Sequence, residues 1–113
     1  MMDPTVPVQR QLDAYNARDL DTFVAQYSDD VRVYRLPSMD PVLVGKATFA
    51  DHYAKNRFNI PELHAKLVSR MVFGNKVIDQ ELVAGIAPAP VDGAAIYEVR
   101  DGLITTVWFV SPG

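Results

Sequence analysis

One arginine and two acids in the second half of the chain have the spacing of a cross-strand charged cluster. If Gly74-Asn75 is a two-residue loop between β-rich runs, Arg70 lies opposite Asp79 and diagonal to Glu81. Carboxylates held beside an arginine can take up and release protons in catalysis. The spacing therefore predicts a candidate catalytic cluster, for which an ion pair on a solvent-facing sheet surface is the structural alternative.

The last hairpin predicts polar and aromatic neighbours for this cluster. If Asp101-Gly102 is another two-residue loop, Tyr97 lies opposite Thr106, and Trp108 lies on the same face. Such side chains suit the wall of a binding pocket, although aromatic residues at these positions also build ordinary hydrophobic cores. In the preceding hairpin the face opposite to Arg70, Asp79 and Glu81 is the more apolar one. This pattern alone would put the charged cluster on the solvent-facing side.

The elements that must position these residues follow from periodicity and turn signals. Apolar spacing predicts a helix over residues 7–17, a second helix that begins after Asp19 and runs through Tyr27 to its end at 28–30, and a third helix after Gly45. Alternating β-rich runs predict strands at 31–36, 64–73, 76–86, 94–100 and 103–110, with a Pro-rich loop at 87–93. Helices followed by strands indicate an α+β domain with the helices on one face of the sheet.

Composition excludes several classes of function. The 113 residues are 49% hydrophobic, which fits a single domain over residues 1–113. A net charge of −3 without a basic run predicts no nucleic-acid partner and no membrane partner, and no apolar stretch is long enough to span a bilayer. The chain has no cysteine for a disulfide or a thiolate nucleophile, and its amino terminus has no secretion-signal pattern, so we expect a cytoplasmic protein.

Metal and cofactor chemistry have no motif in the sequence. His52 and His64 are the only histidines and do not form an H-E-x-x-H pattern, so no metal is predicted. The sequence contains no phosphate-cradling glycine loop and no G-x-S-x-G elbow. We therefore expect no cofactor and no covalent serine chemistry.

The last strand is apolar on both faces. Its two alternating sets are Leu103, Val107 and Phe109 on one side and Ile104, Trp108 and Val110 on the other. A sheet with one face in water alternates apolar with polar residues instead. Because the helices cover only one face, we expect a second copy of the chain to cover the outer face in a two-fold homodimer.

Several segments of the chain resemble a known family. They are YNARDLD at residues 15–21, YSDDV at 27–31, Gly45, YEVRDGLI at 97–104 and VWF at 107–109. Together they are similar to the nuclear transport factor 2-like superfamily, in its SnoaL-like and ketosteroid isomerase-like branch. The resemblance implies a cone-shaped, curved antiparallel sheet wrapped around three helices, a cystatin-like α+β barrel, with a cavity inside and a dimer built on the outer face.

The resemblance also implies that the charged cluster faces the interior of the cavity. It implies that five strand residues line the cavity, namely Asp79, Glu81, Tyr97, Thr106 and Trp108. Carboxylates in such a cavity are open to large pKa shifts, which makes the cluster a candidate functional site. Further contacts to a small-molecule ligand are expected from Tyr15, Tyr53 and Arg35.

The residues of steroid isomerase catalysis are not matched. The resemblance places the isomerase base at Arg35, its tyrosine at Gln11 and its second acid at Ala95. An assignment as a steroid isomerase would therefore rest on the fold alone.

Two functional hypotheses remain for the predicted pocket. One is a cofactor-free isomerase, lyase or hydrolase that acts on a small, partly apolar substrate. In this enzyme Asp79 or Glu81 is the general base or acid and is oriented by Arg70, while Tyr97 donates a hydrogen bond and Trp108 forms the wall. The other hypothesis is a non-catalytic ligand-binding domain that uses the same cavity.

Overall fold

Three α-helices form one layer of the structure. The computed structural model describes residues 3–112 and places α1 at Thr5–Ala17, α2 at Leu20–Ala25 and α3 at Lys46–Asn56. The Asp19 side chain caps α2, as the sequence predicts, by accepting a hydrogen bond of 3.2 Å from the backbone N–H of Thr22. None of the helices within residues 3–112 has the length and apolar character needed to cross a membrane.

Six strands form one curved sheet that packs against these helices. They are β1 at Tyr27–Arg35, β2 at Leu43–Val44, β3 at His64–Phe73, β4 at Lys76–Ala84, β5 at Val91–Arg100 and β6 at Leu103–Val110. The order is β2-β1-β6-β5-β4-β3, and neighbouring strands are antiparallel except β1 and β6, which are parallel. The predicted α+β class with a curved sheet around three helices is confirmed. Over residues 3–112 the sheet stays open, and it is mixed instead of wholly antiparallel.

The first strand begins earlier than the sequence pattern predicts. We expect Tyr27 in α2, but the structure has it at the start of β1, paired with Ile104 of β6. The Tyr27 ring is buried, and its centroid lies 5.2 Å from that of Phe23 and 4.3 Å from that of Phe49. Tertiary burial of this ring therefore overrides the local helix and turn signals.

A cluster of aromatic rings joins the helices to the concave face of the sheet. The Phe23 ring stacks on Phe49 at 5.6 Å and lies 4.9 Å from Tyr53 and 6.0 Å from Tyr15, measured between centroids. The sheet side of this core consists of the buried residues Val33, Val77, Val99, Ile104 and Val107. Burial of each large apolar side chain contributes about 1.5–3 kcal/mol to folding. This packing fixes the helix side chains over the sheet.

A β-bulge in the last hairpin decides which of its side chains face inward. The two-residue loop Asp101-Gly102 and the Val99–Ile104 pair follow the prediction. Beyond this pair the register shifts by one residue. As a result Tyr97 pairs with Val107 instead of Thr106, and Trp108 pairs with Ile96. An extra residue in one strand inverts the faces beyond it. The prediction that Thr106 and Trp108 share the inward face with Tyr97 is therefore wrong, since both lie on the outer face.

The outer face of the sheet carries the apolar side chains that the pattern of the last strand indicates. The Trp108 ring stacks on Tyr34 of the neighbouring strand, with centroids 6.1 Å apart and planes 17° apart. On β3 of the same face, Met71 is 55% exposed and Phe73 is 73% exposed. The homodimer expected on this face stays a prediction.

Candidate functional site

A cavity of about 270 Å³ lies between the concave face of the sheet and the helices. Its mouth is formed by the carboxyl ends of β1 and β6, the start of β5 and the end of α3. Its inner lining is mostly aromatic and consists of Leu12, Tyr15, Phe23, Tyr27, Tyr53, Ala65, Ala95 and Tyr97. Four predicted contacts line this cavity, namely Tyr15, Tyr53, Tyr97 and Arg35, whereas Thr106 and Trp108 do not because they face outward.

Arg70 and Asp79 form the cross-strand pair that the first hairpin predicts. They lie opposite each other, and Asp79 accepts hydrogen bonds of 2.7 Å from Arg70 Nε and 2.9 Å from Arg70 Nη2. Arg70 Nη1 donates a further bond of 2.8 Å to Oε1 of Gln9 on α1. The Asp79 side chain is fully buried, so the expectation from alternation that this cluster faces solvent is wrong. Both oxygens of Asp79 are committed to the guanidinium.

Glu81 lies on the same face of β4 and lines the cavity. Within residues 3–112 every fully buried side-chain polar atom has a hydrogen-bond partner. The Glu81 carboxyl group forms no hydrogen bond or ion pair with these residues, so it reaches the open volume of the cavity. Its pKa is raised to about 7, first by burial and then by the negative charge of Asp79, against the opposing effect of Arg70. Glu81 can therefore gain or lose a proton near neutral pH.

A buried glutamine connects two tyrosines beside this carboxyl group. Tyr27 Oη donates a hydrogen bond of 3.0 Å to Gln11 Oε1, and Gln11 Nε2 donates to Tyr97 Oη at 3.3 Å and to the backbone carbonyl of Val8 at 3.0 Å. Because Tyr97 accepts this bond, its own hydroxyl proton is free to point elsewhere. The sequence carries one signal for this network, because Gln11 is a polar residue on the apolar stripe of α1. A buried polar side chain of this kind is paired by hydrogen bonds.

Two further tyrosine hydroxyls face the cavity. Burial raises the pKa of Tyr15 to about 12 against the opposing effect of Arg57, and burial also raises the pKa of Tyr53 above its ordinary range. The Glu81 charge adds to both shifts. Both groups therefore stay protonated and can donate hydrogen bonds. The Tyr53 hydroxyl has no partner within residues 3–112, which leaves it accessible from the cavity.

The cavity mouth carries ionisable residues from β1, from α3 and its end, and from β5. Arg35 at the end of β1 was predicted as a contact, whereas sequence reasoning missed His52 of α3, Arg57 directly after α3 and Asp92 of β5. His52 and Arg57 come from α3 and its end, Asp92 comes from β5, and no local spacing relates them to Arg35. Burial lowers the pKa of His52, and the positive charges of Arg57 and Arg35 lower it further.

The family follows from comparison with known proteins. A family profile described as the SnoaL-like domain matches residues 8–107. The chain belongs to the SnoaL-like domain family. This membership confirms the resemblance to the SnoaL-like branch of the nuclear transport factor 2-like superfamily. A search of curated proteins gives no significant match.

Solved structures share the fold of this SnoaL-like domain over nearly its full length. An uncharacterized cystatin-fold protein from Novosphingobium aromaticivorans is 25% identical, with a TM-score of 0.83 over 96% of this chain and 98% of that chain. The Delta 5-3-ketosteroid isomerase from Mycobacterium sp. is 22% identical, with a TM-score of 0.81 over 96% and 92%. A computationally designed 17-OHP binder is 15% identical, with a TM-score of 0.81 over 96% and 91%. At these identities the last two establish the fold alone.

The cavity of the SnoaL-like domain offers proton-transfer and hydrogen-bonding groups. Within residues 3–112 no three His, Cys, Asp or Glu side chains are grouped so that they could hold a metal ion. The cavity instead combines the Glu81 carboxyl group, whose pKa is about 7, with tyrosine hydroxyls and an aromatic lining. These are groups that serve in acid–base chemistry and in hydrogen bonding to developing negative charge.

Proposed function

We propose that this SnoaL-like domain is a cofactor-free enzyme that binds a small, partly apolar molecule in the cavity and uses Glu81 to move a proton on it. The observation that carries the proposal is the Glu81 carboxyl group, which is unpaired within residues 3–112, faces an aromatic cavity and has a pKa of about 7. A group whose pKa lies near the working pH serves well both as a base and as an acid.

The chemistry that this arrangement supports best is proton transfer next to a carbonyl group. Ionised Glu81 takes a proton from the carbon beside the carbonyl, and the resulting carboxylic acid returns it to another atom of the same molecule. Negative charge develops on the carbonyl oxygen in between, and the Tyr53 and Tyr15 hydroxyls are the donors available to stabilise it. This sequence of steps is an isomerisation. A lyase or a hydrolase would use the same acid and base.

Arg70 and Asp79 support the site without touching the substrate. Asp79 is fully buried and bound by two hydrogen bonds, so it is a poor general base. Its charge raises the pKa of Glu81, and Arg70 limits that effect. We assign both as positioning residues and Glu81 as the catalytic residue.

The test is deuterium exchange at carbon, followed by NMR for a panel of small cyclic ketones and β-keto esters in D2O. We expect the wild-type protein to accelerate exchange for at least one member of the panel. Glu81→Gln should then lose about 10²–10⁴-fold in rate, the usual contribution of a general base. Glu62→Gln is the matched control, because Glu62 is exposed and lies outside the cavity. Equal rates for Glu81→Gln and the wild type would contradict the proposal.

A non-catalytic binding domain is the second candidate. It is favoured by the unmatched isomerase positions at Arg35, Gln11 and Ala95, and by a computationally designed 17-OHP binder that shares this fold. Under this hypothesis a molecule of the panel binds without exchange of its protons, and Glu81→Gln leaves that affinity unchanged. Measured binding together with absent exchange would therefore select the second candidate.

A further inference from the structure

Two arginines at the cavity mouth have no acidic partner. Arg35 and Arg57 both line the mouth, and within residues 3–112 neither forms an ion pair with a carboxylate. Arg57 donates a hydrogen bond of 2.8 Å to the backbone carbonyl of Asn56, and a hydrogen bond from Arg57 also acts on the Tyr15 hydroxyl. The Arg35 guanidinium lies 5.6 Å from the centre of the Phe109 ring. Because a guanidinium group has five N–H donors, both groups keep donors for a ligand.

The two guanidinium groups line the same cavity as His52 and Tyr53, and both act on these two side chains. Burial lowers the pKa of His52, and Arg57 and Arg35 lower it further, which leaves His52 uncharged at neutral pH. Burial raises the pKa of Tyr53, and the same two arginines oppose that rise. The one acid of the mouth is Asp92, which is exposed and accepts a hydrogen bond of 3.2 Å from Gln80. Two positive groups and one negative group leave the mouth with a net charge of +1.

Glu81 and Arg35 reach the cavity from different parts of the sheet. Glu81 lies on β4 and Arg35 lies at the end of β1, with β5 and β6 between these two strands. The Tyr53 side chain also lines the cavity, and its pKa responds to Arg57 and Arg35 as well as to Glu81. A molecule that spans the cavity can therefore meet Arg35 on one side and Glu81 on the other.

We infer that the substrate is an amphipathic monoanion whose carboxylate is held by Arg35 and Arg57 at the mouth while its apolar body extends along the aromatic lining toward Glu81. The inference rests on the proposed function for the role of Glu81, and it adds the substrate class. A guanidinium group matches the two oxygens of a carboxylate. The net charge of +1 at the mouth fits a single negative charge better than a phosphate dianion.

The experiment compares three probes of similar shape by isothermal titration calorimetry: 1-naphthaleneacetate, 1-naphthaleneacetamide and 1-naphthyl phosphate. The wild type and Glu81→Gln are both titrated, so that a failure of the catalytic proposal does not affect the result. We expect the acid to bind at least about tenfold more tightly than the amide in both proteins, as a charged hydrogen bond provides. The phosphate should bind more weakly than the acid.

Variants of the two arginines test whether the tighter binding of the acid arises at the cavity mouth. Arg35→Gln and Arg57→Gln should each weaken binding of the acid by about tenfold and leave binding of the amide unchanged. Arg32→Gln is the matched control, because Arg32 is exposed on the same strand as Arg35 and lies outside the cavity. Equal affinity for acid and amide, no binding of the acid, tighter binding of the phosphate, or loss of amide binding in the arginine variants would each overturn the inference. Unchanged proton exchange in Glu81→Gln would contradict the proposed function and would leave this inference standing.

Discussion

Glu81 and Asp79 lie two residues apart on one face of β4, yet Arg70 neutralises only Asp79, through hydrogen bonds of 2.7 and 2.9 Å. Asp79 is fully buried behind the cavity, whereas Glu81 lines it without a partner among residues 3–112. Neighbouring acids of the same strand thus have different surroundings. One acid is held in an ion pair, and the other has a pKa of about 7.

Glu81 should make the free energy of unfolding depend on pH. Its pKa is about 7 in the folded chain against an ordinary value of 4.5, so the folded state binds more protons between these values. The contribution of this group to stability is therefore fully present below pH about 4.5 and is lost as pH rises to about 7, by up to about 3 kcal/mol. Urea unfolding of the wild type and of Glu81→Gln across this window measures it. The difference between the two proteins isolates Glu81 from other titrating groups, and a constant difference would contradict the prediction.

Asp79→Asn should destabilise the fold by about 3 kcal/mol, because it leaves the Arg70 guanidinium without its anion in a largely buried position. Urea unfolding at neutral pH measures the loss. The control is the double variant Arg70→Met with Asp79→Leu, which replaces the pair by apolar side chains and should recover most of the stability. A single variant as stable as the wild type would show that the pair is not needed for folding.

Gln11→Leu should cost about 1–3 kcal/mol, because the Tyr27 hydroxyl loses its acceptor and the Tyr97 hydroxyl loses its donor in the buried network. Tyr27→Phe removes one end of the same network. A double-mutant cycle between the two positions should therefore give a coupling energy clearly different from zero. Additive losses would mean that the two side chains do not act as one network.

The outer face of the sheet should mediate self-association. Met71 and Phe73 are exposed there on β3, and the Trp108–Tyr34 stack lies on β6 and β1 of the same face. Exposed apolar side chains of this kind are typical of an interface. We expect the wild type to sediment as a dimer and Phe73→Glu to sediment as a monomer. Val6→Glu is the control, because Val6 is an exposed apolar residue of α1 and should leave the dimer intact. A monomeric wild type would refute the homodimer.

Much of the fold could be predicted from the sequence because its signals are local. The Asp19 cap, the two-residue hairpin loops and the Arg70–Asp79 register all depend on residues close together in the chain. The early start of β1 could not be predicted, because the position of Tyr27 is decided by rings that pack on it from distant elements.

The candidate site was predicted less completely than the fold, because its residues depend on a β-bulge and on packing between distant elements. The bulge that turns Thr106 and Trp108 outward has no glycine or proline to mark it, so alternation gave the wrong face. Arg57 and His52 reach the cavity only because α3 packs over the sheet. Periodicity identifies which residues of an element are buried, but it does not tell which elements meet at an opening.

The outward position of Trp108 determines what its fluorescence can report. It is the only tryptophan of the chain, and its indole stacks on Tyr34 behind the sheet, away from the cavity. Tryptophan emission, excited selectively, should therefore respond to changes on the outer surface and stay constant when a molecule enters the cavity. An optical titration that shows no change would say nothing against binding, and a probe that emits by itself is the better choice for that measurement.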